Sequence, residues 1–305
     1  MIKYKRLIVS LCVYLCGKVD GHHYIYMYYA VPTTAKFSLT GVPEMEENKT
    51  AASAKSETKS AKSGSSAKAL RTLELRFEPV FDVHLNMAID FIVSMRINDR
   101  QMGVLLQDTI FPIAEKSNQI CELNKWAVEE CCDMILRCAR RELDINRLIV
   151  PISKKYLSKP YCCKQLIKIV ETKGVDPEKF CFNISESIYA AEQKQVSESI
   201  KTLRDAGFMV SIDDFGVEYT SLSHLGMYDV DYIGIDGSLL DGVLEDERAQ
   251  NRLQGIIDFA KKINAQTRIH GVSSEELAKL VRTLGADQMT GSLYGKPTAE
   301  RAIKL

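Results

Sequence analysis

From Leu73 onward the chain alternates short runs with strand patterning and longer segments with apolar positions spaced by three and four. The strand-like runs are "RFEPVFDV", "IDFIVSMRI", "RLIVPIS", "FCFNIS", "FMVSID", "DYIGID", "RIHGV" and "DQMTGSLYG". Helix-period segments separate most of them, around Trp126, Leu166, Ile256 and Leu280, with one more ending at Gly207. Strand, helix, strand repeated this often predicts a parallel sheet with helical crossovers. About 230 residues of such units, closing on themselves, suggest a TIM-type barrel, whose functional groups lie at the C-terminal ends of strands. Gly207 after "SIKTLRDA" and Gly285 after "ELAKLVRTL" stand where left-handed helix ends are wanted.

The pattern changes upstream. Residues 47–69, "ENKTAASAKSETKSAKSGSSAKA", carry no apolar side chain larger than alanine and cannot offset the entropy of ordering, so they predict a disordered Lys/Ser/Ala-rich linker. It separates an N-terminal segment, 1–46, of unknown role from the patterned region, 70–305. The adjacent His22 and His23 have no further metal-ligating partners nearby and predict an ordinary strand or loop. Lys3, Lys5 and Arg6 precede "LIVSLCVYLC", ten apolar-rich residues, too short for a spanning helix and without a nearby small-x-small cleavage site. A cytoplasmic protein is expected.

Composition narrows the function classes. The 305 residues hold 40 basic and 40 acidic side chains, so no net field favours DNA, RNA or anionic membrane. The nine cysteines include two vicinal pairs but no CxxC spacing. Cys131 and Cys138 fall on an apolar helix face, where a free thiol acts as a small hydrophobe.

Candidate chemistry concentrates in "MVSIDDFGVEYTSL", where Asp213 and Asp214 end an apolar strand and a glycine-containing loop follows. Such a pair can hold a metal. Without a compensating cation, adjacent carboxylates raise one another's pKa, so a hydrogen-bonded pair serving the loop stays an equal alternative.

The region resembles the EAL domain family, the bacterial phosphodiesterase module that opens cyclic di-GMP. The resemblance rests on "FEPVFD", "FPIAEKSNQICELNKWAV", "FNISES", "SIDDFGVEYTSLSHL", "YIGID", "HGVSSEE" and "TGSLYGKP", in order and at compatible spacing. It implies a barrel close to (β/α)8 with one antiparallel strand and a reaction using two magnesium or manganese ions. "FPIAEKSNQICELNKWAV" resembles the first long helix. The resemblance also implies that much of the site is replaced. The glutamate naming the motif falls on Ile92, the asparagine of N-x-S on Pro151, and the glutamate of E-x-T-E on Asn183. The lysine of K-I-D falls on Gly234, the two glutamates of E-G-V-E on His270 and Ser273, and the glutamine of Q-G on Thr290.

Several matched positions keep polar groups. Arg96 matches an arginine that contacts substrate phosphate in the family, or pairs with a local carboxylate as any strand-end arginine does. Glu186 matches a residue that steadies the DDFG loop, and Glu78 would repel an anionic dinucleotide. Asp236 beside Gly237 suits a turn, and His270 suits a satisfied polar residue more than a lone ligand. Ser273 and Glu276 have capping-box spacing. These substitutions predict a catalytically inactive regulatory or interaction module, with a protein or cyclic di-GMP as partner and metal at Asp213 and Asp214 weak or absent. The competing readings are a weak metal-dependent phosphodiesterase and a metal-free cyclic di-GMP receptor. The resemblance also points to homodimerisation near "VEYTSLSHLGM".

Overall fold

The computed structural model describes residues 18–19, 22–23, 72–99, 102–159, 161–185, 193–215 and 228–303. Glu186, the segment "VEYTSLSHLGM", the "LIVSLCVYLC" run and residues 47–69 lie outside the described residues. Lys18–Val19 and His22–His23 form a two-residue antiparallel ladder.

Eight strands close into a barrel and a ninth extends it. In chain order they are β1 (Thr72–Asp82), β2 (Met87–Asp99), β3 (Gly103–Leu106), β4 (Arg147–Pro151) and β5 (Phe180–Ser185). They continue with β6 (Met209–Phe215), β7 (Tyr232–Ile235), β8 (Gln266–Ile269) and β9 (Gln288–Met289). The sheet order is β1-β9-β8-β7-β6-β5-β4-β2-β3, and β1 also pairs with β2 to close the ring. Strand β1 is antiparallel to both neighbours, whereas β2 and β4 to β9 run parallel. The expected barrel with one antiparallel strand is the observed fold. Strand β3 folds back on the end of β2 as a hairpin outside the ring.

Helices α1 (Gln107–Lys116), α2 (Ile120–Ala139), α3 (Lys154–Leu157), α4 (Cys162–Lys173), α5 (Gln193–Asp205), α6 (Glu247–Lys262) and α7 (Glu275–Thr283) complete the described elements. Their apolar faces meet the outward side chains of the strands in one continuous core. Along β2 burial alternates: Phe91, Val93, Met95 and Ile97 are buried in that core, while Ile92, Ser94 and Arg96 are half-buried on the other face. Inside the ring, Val80, Ile149, Cys181 and Tyr232 form a smaller cluster with Ile92 and Met209.

Two local expectations need correction. "FPIAEKSNQICELNKWAV" is two helices rather than one, because the backbone turns left-handed at Asn118 (φ 56°) and Ser117 Oγ donates back to Ile113 O at 2.8 Å. The cap of α7 is Ser274, whose hydroxyl accepts from Leu277 N at 3.2 Å, and Ser273 lies outside the helix, exposed. Gly207 and Gly285 do take φ of 90° and 84° at helix ends. Among the described residues no helix is long and apolar enough to cross a membrane. Seven described cysteines are free, and six of them are buried.

Candidate functional site

The end of β6 positions the two aspartates. Its pairing with β7 slips between Ile212 and Phe215, and Asp214 adopts a left-handed φ of 62°. The slip leaves Asp213 buried inside the barrel and Asp214 exposed at the rim.

Asp213 is fully engaged by protein groups. His270 Nε2 stands 2.6 Å from its Oδ1, and Asn183 Nδ2 donates to its Oδ2 at 2.5 Å. Asn183 in turn accepts Ser211 Oγ–H on its own oxygen at 2.6 Å. Four side chains from β5, β6 and the turn after β8 thus form one chain: Ser211, Asn183, Asp213, His270.

The charges within it are mutually set. Burial alone would raise the Asp213 carboxyl, but the charge and hydrogen bond of His270, the charge of Arg268 and the Asn183 amide outweigh it. Together they hold the group well below the usual carboxylate range. Burial alone would lower the His270 imidazole, yet the charge and hydrogen bond of Asp213 raise it above its ordinary value. Each shift favours the charged form of its group, so the contact is an ion pair below the raised His270 value and a hydrogen bond above it. Asp214 is pushed up to about 6, first by partial desolvation of its carboxyl and then by the charge of Asp213.

Gly234 makes room for this pair. It lies on β7 beside Arg268 of β8. A Cβ built on it would stand 1.6 Å from Asp213 Oδ1 and 2.9 Å from His270 Nε2. The pair occupies the space that any side chain at 234 would enter first.

The other matched positions are likewise taken up. Ile92 packs against the apolar cluster inside the ring. Pro151 ends β4 opposite Asn183, and its carbonyl accepts from Asn124 Nδ2 at 3.4 Å. Thr290 Oγ1 donates to Glu78 Oε1 at 2.7 Å. Arg96 reaches Glu74 through Nε and Nη2, at 3.3 and 3.2 Å. Asp236 accepts from Ser238 N at 2.8 Å and caps the 3-10 turn Gly237–Leu240.

A hard divalent cation needs several convergent oxygen donors. Here Ile92, Pro151 and Gly234 offer none from their side chains, Asn183 directs its amide N–H to Asp213 Oδ2, and His270 Nε2 occupies Asp213 Oδ1. The residues present do not fit such an ion. Among the described residues no group of three or more His, Cys, Asp or Glu side chains converges as a metal site would require.

The structure joins residues that single positions in the sequence kept apart. Asp213, Asn183, His270 and Gly234 share one cluster, and Glu78 meets Thr290. Arg96 is held by Glu74, and Ser273 lies at the surface. Ser211 joins the cluster without having been among the candidates that the sequence offered. Its spacing of two from Asp213 on one strand, which puts both on one face, was the available signal.

A closed barrel with a reversed first strand and an acidic pair at the end of an inner strand defines the class of fold. The chain belongs to the EAL domain family, whose model matches residues 63–297. It is 24% identical over 231 residues to the oxygen sensor protein DosP of Escherichia coli K12, covering 76% of this chain and 29% of DosP. It is 23% identical over 220 residues to the cyclic di-GMP phosphodiesterase PdeL of the same organism, covering 72% of this chain and 61% of PdeL. The chain thus spans less than two thirds of the length of these relatives. Among solved structures, the FimX EAL domain from Pseudomonas aeruginosa bound to c-di-GMP has a TM-score of 0.67 at 20% identity, covering 74% of this chain and 90% of that one. The PaMucR phosphodiesterase in its c-di-GMP complex has a TM-score of 0.69 at 20% identity, covering 76% and 94%.

Proposed function

We propose that this chain is a catalytically silent EAL domain that serves cyclic di-GMP-related signalling as a regulatory or interaction module, with a protein as its partner. One observation carries the reading: the Asp213 carboxylate is bonded on one oxygen by His270 and on the other by Asn183, in the space above Gly234. Metal-assisted hydrolysis needs a cation to generate a nucleophile and to screen the developing charge. An aspartate whose two oxygens are already bonded, surrounded by Ile92, Pro151 and Gly234, contributes little toward either. The balanced overall charge argues against DNA or RNA as partner.

A second reading is a receptor that binds cyclic di-GMP without metal. The FimX EAL domain, solved with c-di-GMP, favours it. The engagement of Arg96 by Glu74 weighs against it, since a phosphate would compete with a carboxylate already in place.

Isothermal titration of cyclic di-GMP into the full chain, with and without manganese, separates the readings when the same samples are assayed for the linear product. The expected result is neither binding nor product. Binding without product, lost in Arg96→Ala, establishes the receptor reading. Metal-dependent product overturns the proposal.

A further inference from the structure

Arg268 lies on β8 with its side chain inside the barrel and is fully removed from solvent. Its Nε donates to Gln288 Oε1 at 3.0 Å, and its guanidinium carbon stands 5.0 Å from the centre of the Tyr232 ring. Nη1 and Nη2 are buried and have no hydrogen-bond partner. A guanidinium remains charged in any protein environment, so it cannot escape this situation by losing a proton. A buried charge whose donors go unmet carries its full desolvation cost.

The carboxylates that would offset it are already taken. Asp90 accepts from Asn146 Nδ2 at 2.6 Å and from Gln288 Nε2 at 2.8 Å, with Arg147 Nη1 at 3.7 Å. Gln288 therefore stands between Arg268 and Asp90 as a bridge. Asp213, which the Arg268 charge also reaches, is bonded by His270 and Asn183. Arg147 stands beside Asp90, and Arg268 reaches the same carboxylate only through Gln288. Arg268 is thus left with two unmet ends.

We propose that the barrel interior binds a small monovalent inorganic anion of chloride size on Arg268 Nη1 and Nη2. The enclosure decides the size, because no part of Arg268 reaches solvent and a phosphate ester attached to a larger molecule has no path to it. Both unmet ends belong to one singly charged guanidinium, which decides the valence. The site lies apart from the rim residues in the functional reading and does not depend on that reading.

The test is thermal unfolding of the full chain at constant ionic strength in sodium chloride, sodium bromide and sodium gluconate, whose anion is too large to enter. A ligand that binds the folded state raises the midpoint in a saturable way. The midpoint is expected to be higher in chloride and bromide than in gluconate, and Arg268→Met is expected to remove the difference. Crystals of the unaltered protein grown in bromide keep the test decisive where Arg268→Met fails to fold. An anomalous bromide peak within about 3.5 Å of Nη1 or Nη2 sustains the site. Ordered water alone at those atoms, equal midpoints in the three salts, or a halide response retained by Arg268→Met would each overturn it.

Discussion

At the scale of single residues, a position without a side chain makes room for a buried contact. Gly234 carries no side chain where Asp213 and His270 meet, so restoring a side chain there displaces the pair. Gly234→Ala is expected to destabilise the fold by about 2–4 kcal/mol in urea unfolding, the range for disturbing a buried pair. Gly234→Lys should destabilise more when made alone than when combined with His270→Glu, which removes the competing imidazole; a double-mutant cycle measures that coupling. These positions are far apart in sequence, 57 residues between Asp213 and His270 and 212 between Glu78 and Thr290. In the sequence, His270 reads as a satisfied polar residue with no partner named, and Gly234 only as the loss of a lysine. Their pairing needed the closed barrel.

The same residues set a pH dependence. His270 is raised in the folded state, so its stabilisation is fully present below the ordinary imidazole value of about 6.5 and fades as pH rises through the folded value. Asp213 is depressed, so its contribution is present above about 3.9 and fades as pH falls through the lower folded value. The pair thus stabilises most between roughly pH 4 and 6.5. The stability difference between the unaltered chain and His270→Gln, measured by urea unfolding, should shrink as pH rises above about 6.5 through the folded His270 value. Asp213→Asn should bring the Asp214 carboxyl, now at about 6, down toward the ordinary value, as carboxyl carbon shifts in NMR titration would register.

At the scale of elements, periodicity made most of the architecture legible. The eight barrel strands fall on the eight strand-like runs, because buried parallel strands read as short apolar stretches between helix-period segments. The boundaries were harder. The break between α1 and α2 depends on Ser117 and Asn118, residues that helices tolerate, and no proline or glycine marks it. The start of α7 offered two adjacent serines, and only the backbone geometry at Ser274 chose between them. Ser274→Ala is therefore expected to cost about 1 kcal/mol in thermal or urea unfolding, while Ser273→Ala changes little.

At the scale of the whole molecule, this EAL barrel combines a closed ring, a reversed first strand and a slip that separates Asp213 from Asp214. Its interior holds two basic groups, His270 bonded to Asp213 and Arg268 linked through Gln288 to Asp90. The most direct test incubates the full chain with cyclic di-GMP in magnesium and, separately, in manganese, and follows the linear dinucleotide by chromatography. The account predicts no product above the protein-free control in either metal. Steady turnover in either one, abolished by Asp213→Asn, would contradict it.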